Sequence, residues 1–317
     1  MYWSNPVRPM PSKGFEEMIA QLKNAFAKAC CNPRHLWYFW RNVNVLRDHF
    51  PVLYRNIKLR KHLNLGSVAD LARLHVIIRT TDCVMNLNAS RRLEDFGIKT
   101  KSDVIGAGGC SVFPAAAKFA AIHGRENIRI TLVVDRLSEV GVSQYREAAE
   151  SAGMDFDVVS AKGHGNAPTF QTQIDVALQD ADDTLILVLE DDYKLEESVF
   201  TTCFEVMQSH SKVIGMNPHF HPDRVRWQDV GRIAAVGGKL YCQIKSTCCT
   251  FFMPVRAMRR FEKYLRLYDG WEKGSVSVAW ERGLCLAPIG WTMAEHLHRS
   301  DLSPFCEFST MKNKNKG

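Results

Sequence analysis

The 317-residue sequence predicts an α/β fold, a doubly wound mixed sheet preceded by a helical extension at the N-terminus. Three observations carry that prediction. Apolar segments of strand length alternate with helix-length segments from residue 74 to residue 190, the pattern of βα units. The run Asp183-Thr184-Leu185-Ile186-Leu187-Val188-Leu189 is unbroken and aliphatic, as a strand covered on both faces must be. That run ends in Glu190-Asp191-Asp192, so three carboxylates fall at the carboxyl edge of the sheet, where open α/β sheets bind ligands.

The elements follow in order. Residues 14–63 read as helical, with Phe15, Met18, Ile19, Leu22 and Phe26 at three- and four-residue spacing and Pro33 and Pro51 as punctuation. Leu74 to Arg79 is a first strand ending at Thr80-Thr81-Asp82, and Asn88 to Phe96 reads as a helix. Ile128 to Asp135 is a second strand, and it too ends in an acid. Gln144 to Ala152 is a helix with Gly153 suited to its C-terminal cap. Phe156 to Ser160 is a third strand, Lys162-Gly163-His164-Gly165-Asn166 a loop, and Thr169 to Leu178 a helix. The acidic strand is the fourth. Residues 212–253 look β-rich, Pro254 to Tyr268 helical, and 311–317 a basic tail without the apolar content to fold. The domain reading is therefore 1–73 basic helical extension, 74–305 α/β domain, 306–317 flexible tail.

Charge is uneven along the chain. Residues 1–73 hold 12 Lys or Arg against four acids, a net +8, while the rest holds 29 against 30. All of the +7 excess lies in the first quarter, which suits an anionic partner such as nucleic acid or a membrane surface, or a solvated helical face. No apolar run reaches the roughly 20 residues of a membrane span, so no transmembrane segment is expected. The ten cysteines lack the paired spacing of a zinc site, and with no secretion signal in Met1 to Pro6 they suggest reduced thiols and a cytoplasmic protein.

Adjacent carboxylates repel one another unless a cation lies among them. Hard divalent cations take oxygen ligands and bridge to substrate phosphates. Glu190-Asp191-Asp192 thus points to a metal-assisted phosphate site, or to a solvated acidic turn or the first turn of a helix over Lys194 to Glu197.

By its order of elements and motif placement, the stretch from about residue 74 to 300 resembles a nucleotide-sugar glycosyltransferase of the GT-A fold, family 2-like. The resemblance implies Mn2+ or Mg2+ as cofactor and a nucleotide-sugar donor, a UDP-sugar first among them. It places Asp192 as metal ligand, with Glu190 and Asp191 nearer the ribose or sugar, and His296 or His298 of Ala294-Glu295-His296-Leu297-His298 as a late metal ligand. Arg79, Thr80, Thr81 and Asp82 fall where such enzymes begin the base pocket. Asp135 falls where an acid contacts the nucleobase, and Lys162, His164 and Asn166 lie in the loop facing the same crevice. The base for the acceptor hydroxyl is then sought at Asp269, Glu272 or Glu281, with Glu295 a further option. If the acceptor is a hydroxymethylated base in duplex DNA, as for enzymes that some phages encode, the basic N-terminal region would seat the duplex. A glycan or a lipid-linked acceptor fits the same charge. Two other readings stand beside this one. Nucleotidyl transfer would need a glycine-rich loop after the first strand, where only the later Gly106-Ala107-Gly108-Gly109 is present. A non-catalytic basic nucleic-acid-binding protein would keep the sheet without the activity.

Overall fold

The structure is a computed structural model. It describes residues 66–81, 98, 100–219, 233–237, 239–245, 247, 250–267, 280, 282–288 and 292–297. The expected helices within 14–63 and 88–96 and the tail lie outside these residues, as does most of the basic N-terminal region.

A mixed nine-stranded sheet forms the centre, in the order β3-β2-β1-β4-β9-β6-β10-β8-β7. Its first half is parallel: β1 (Arg73–Thr81) lies between β2 (Ile128–Asp135) and β4 (Thr184–Glu190), with β3 (Asp157–Ser160) at the edge. The second half mixes directions. β9 (Phe251–Pro254) runs antiparallel to both β4 and β6 (Val213–Met216), β10 (Leu284–Pro288) parallel to β6, and β8 (Lys239–Gln243) antiparallel to β10 and β7 (Ile233–Val236). β5 (Tyr193–Leu195) and β11 (Ala294–His296) form a separate two-stranded ribbon. The fold class is the mixed α/β sheet that the sequence predicts.

The central strands are buried on both faces, and their side chains alternate between two cores. Leu74, Val76 and Ile78 of β1 and Leu185, Leu187 and Leu189 of β4 face one core. It also takes in α2 (Val112–His123), α3 (Glu139–Ser151) and α5 (Val199–Ser209). Ile77 of β1 and Ile186 and Val188 of β4 face the other, against α4 (Asn166–Ala177) and α6 (Val255–Leu265). Burying a Leu or Ile side chain contributes about 1.5–3 kcal/mol. β4, buried throughout its first six residues, is therefore the element the core is built on.

Helix ends follow local chemistry. α1 (Lys101–Ala107) opens with a capping box, in which Thr100 and Asp103 satisfy each other's backbone amides. α3 starts at Ser138, whose hydroxyl accepts from Gly141, and ends with Gly153 at φ +64°. The Gly153 and Met154 amides bond back to Glu150 and Ala149 there, closing the helix as the sequence suggests. Residues 101–123 were not expected to be helical. The span is long and apolar enough to cross a membrane by length and composition, but it consists of α1, a 3-10 turn at Gly109–Ser111, and α2. Val112, Phe113, Ala116 and Phe119 of α2 are buried in the first core. Pro114 sits in the first turn of α2, where its missing N–H breaks no helical bond. The alternative of a helix first turn over Lys194 to Glu197 does not hold, since Tyr193–Leu195 form β5 and the next helix starts at Val199.

Candidate functional site

The strand order 3-2-1-4 reverses direction between β1 and β4, and the crevice outside such a switch point is where open sheets bind ligands. Arg79 and Glu190 are register partners at this point. Neighbouring strands are about 4.8 Å apart, so in-register side chains stand side by side. The two form an ion pair through Nη2 and Oε1. The other arm of Arg79 donates to the carbonyl of Asn166 (3.3 Å), the first residue of α4, and its guanidinium lies 5.9 Å from the Phe170 ring centre.

The residue after β4 turns to the opposite face. Asp191 accepts from the Thr80 hydroxyl (2.7 Å) and the Thr81 amide (3.3 Å) on Oδ2, and Oδ1 is 2.5 Å from Nζ of Lys101. Burial pushes the Asp191 carboxyl above its ordinary pKa and neighbouring Asp192 pushes the same way, opposed by Lys101 and Thr80. Lys101, the first residue of α1, was not singled out from sequence.

Asp192 turns back toward the ribbon. Its Oδ2 is 3.0 Å from Nε2 of His296, and its carbonyl accepts from the Leu297 amide (2.7 Å). The His296 ring stacks on Tyr193 (4.6 Å between centres, 15° between planes), its register partner in the ribbon, which fixes the imidazole plane.

Glu190, Asp192 and His296 each offer a ligand atom, all within 4.8 Å of one another. An octahedral divalent ion with bonds of about 2.1 Å places adjacent ligand atoms about 3.0 Å apart and opposite ones about 4.2 Å. The 3.0 Å between Asp192 Oδ2 and His296 Nε2 matches adjacent positions, and the Glu190 carboxylate, within 4.8 Å of both groups, would draw in to complete the set. Asp191 is not part of this set; its oxygens serve Thr80, Thr81 and Lys101.

Asp135 ends β2 beside this crevice and is only 3% exposed. Gly165, at φ +89°, donates its amide to Oδ2 (2.8 Å); His164 Nδ1 is 2.6 Å and Arg136 Nε 3.2 Å from Oδ1. Burial alone would raise this carboxyl's pKa, but the Gly165 amide, His164 and Arg136 together hold it below its ordinary value. Arg136 adopts φ +53°, a strained conformation for a residue with a side chain, immediately after the strand end. Lys162 extends to Asp175 of α4 (2.6 Å) and is largely exposed. Asp82, Asp269, Glu272, Glu281 and His298 lie outside the described residues. Glu295 is buried in β11, in register with Lys194.

Three backbone devices hold the acidic strand end and were not read from sequence. The buried amide of Gln173 in α4 donates to the carbonyls of Ile77 (2.7 Å) and Leu189 (3.0 Å), tying β1 to β4 just below the site. Thr250 accepts from the Glu190 amide, and its own carbonyl is held by Asn217. Gly108 approaches so closely that a Cβ there would sit 2.5 Å from the Asp191 carbonyl oxygen. The glycine cluster at 106–109 is thus the junction of α1 and the 3-10 turn, packed against the acidic turn.

No protein-family model and no curated protein matches the sequence. Among solved structures, the chain is similar to the mannosyltransferase PcManGT from Pyrobaculum calidifontis, solved with GDP-Man and Mn2+, at 11% identity over 79% of this chain and 68% of that one (TM-score 0.45). It is similar to S. aureus TarS 1–349, at 13% identity over 68% and 57% (TM-score 0.43). It is also similar to a Bacillus anthracis protein described as a glucose-1-phosphate thymidylyltransferase in complex with a sucrose, at 11% identity over 72% and 91% (TM-score 0.43).

Two predictions follow from the geometry of the site. Gly108→Ala displaces the acidic turn and weakens divalent-cation binding at least tenfold, whereas Gly106→Ala, whose Cβ would meet its nearest neighbour only at 4.0 Å, leaves it unchanged; isothermal calorimetry with Mn2+ separates the two. Asp135→Asn costs about 1–3 kcal/mol at neutral pH. Because the folded-state pKa is depressed, the stabilisation by ionised Asp135 is fully present above the unfolded value of about 3.9 and is lost as pH falls through the folded value. The stability difference from urea unfolding of the two proteins should therefore begin to shrink below about pH 4 and vanish only below the folded-state value.

Proposed function

We propose that this chain is a metal-dependent glycosyltransferase that moves a sugar from a nucleotide-diphosphate sugar to an acceptor hydroxyl. The observation that carries the reading is the convergence of Glu190, Asp192 and His296 at the switch point of the sheet, beside the buried guanidinium of Arg79. Two carboxylates and an imidazole would hold the ion, and the nitrogen ligand favours Mn2+ over Mg2+. A divalent ion held there supplies charge neutralisation for a leaving diphosphate without a proton. The chain's own groups supply the rest. Arg79 offers a planar fork of N–H donors suited to phosphate oxygens. Asp135, kept ionised and fixed by Gly165 and His164, offers an acceptor for the N–H groups of a nucleobase, and the Asn166 end of α4 closes that side of the crevice. A UDP-sugar is the donor tested first.

Thermal unfolding with UDP-, GDP-, CDP- and dTDP-sugars, each with Mn2+ or with chelator, tests the reading. One nucleotide is expected to stabilise the protein only with Mn2+, by about 2.7 kcal/mol at a hundredfold excess over Kd. Asp192→Asn should abolish that shift. A panel with no metal-dependent shift would sink the proposal.

For the acceptor, the +8 charge of residues 1–73 supports an anionic polymer, and we take duplex DNA bearing a hydroxymethylated base as the candidate. Duplex binding should weaken with salt by a log–log slope of about −0.9 for each phosphate neutralised. Binding that does not respond to salt would remove DNA as the acceptor.

A further inference from the structure

Glu190 meets two demands at once. It is one of the three groups that converge on the cation site, and it is the ion-pair partner of Arg79. Arg79 is 5% exposed and is braced by the Asn166 carbonyl and the Phe170 ring, so its charge stays beside the site. Two cations held near one carboxylate in a poorly screened interior repel each other and compete for it. A diphosphate reverses that relation, because an anion with several oxygens can lie between the two cations and satisfy both. Lys101 is not in the same position: its partner Asp191 projects to the opposite face of the sheet and lies outside the converging trio.

We propose that Arg79 is a resident counterion that holds Glu190 until a nucleoside diphosphate binds, and that its guanidinium then turns to the diphosphate. Arg79 therefore opposes divalent-cation binding when the protein is alone and supports nucleotide binding once the cation is in place. The inference rests on the reading of this site as a metal-assisted nucleotide-sugar site and adds a sign reversal that a merely structural ion pair would not produce.

Calorimetry on the full chain tests it in two arms: Mn2+ alone, and then UDP at saturating Mn2+, or whichever of GDP, CDP and dTDP gives the metal-dependent thermal shift. In Arg79→Met, Mn2+ alone should bind roughly tenfold more tightly, and the diphosphate more weakly by a similar factor, within the usual range of coupling between sites. Arg79→Gln, which keeps a hydrogen-bond donor for Glu190 but no charge, should show the same two signs and serves if the methionine variant does not fold. Mn2+ affinity that is unchanged or lower in these variants, with native unfolding profiles, overturns the inference. If the wild-type protein binds Mn2+ and Asp192→Asn does not, that result leaves the metal site standing and removes only the role of Arg79. A wild-type protein that binds no Mn2+ overturns both.

Discussion

Mutual repulsion among Glu190, Asp191 and Asp192 is the constraint that organises this molecule. Asp191 and Asp192 are almost wholly buried, and like charges that close cannot all stay ionised without compensation. The fold delivers a separate cationic or imidazole partner to each acid from a different part of the chain: Arg79 from β1, Lys101 from α1 and His296 from β11. The pleat of β4 sorts them. Glu190 emerges on the face of Val188, toward α4, and Asp191 on the face of Leu189, toward α1. One side of the strand end then opens on the crevice at the switch point, while the other anchors α1 through Lys101.

The supports beneath this arrangement act on the backbone. Gln173 clasps two strands by their carbonyls, Thr250 receives the Glu190 amide, and Gly108 lets a helix end lie against the Asp191 carbonyl. A constellation tied to strands and helix ends in this way is positioned more closely than one carried on loops.

The parallel half of the sheet was legible because each strand announces itself locally. β2 begins and ends where the sequence places it, β1 extends two residues past the expected Arg79, and the acidic motif falls at the end of the fourth strand, which takes in Glu190 one residue beyond the expected Leu189. The helices at 101–123 were not legible. Three glycines and Pro114 break the apolar periodicity there, although Thr100 and Asp103 spell a capping box in plain sight. The partners in the site divide the same way. Arg79 and Asp135 lie near strand ends that a pattern can locate, whereas α4 begins at Asn166, three residues before the expected Thr169, so that Asn166 is a helix end and not a loop residue. Lys101 meets Asp191 across 90 residues, and Gln173 joins Ile77, 96 residues away, to Leu189; no local signal encodes those. The interleaved order of β6, β8, β9 and β10 is long-range in the same sense, since strand register there is set by packing between distant segments.

The tie between Asp192 and His296 spans 104 residues. During synthesis, the parallel half of the sheet and its acidic edge therefore leave the ribosome well before the imidazole that completes the trio. Leu297, the residue after β11, also supplies the amide that caps the Asp192 carbonyl. A nascent chain can thus assemble the scaffold early while its ligand set stays incomplete. The three groups come together only once β11 has followed the acidic edge, so assembly of the site is ordered in time by the sequence itself.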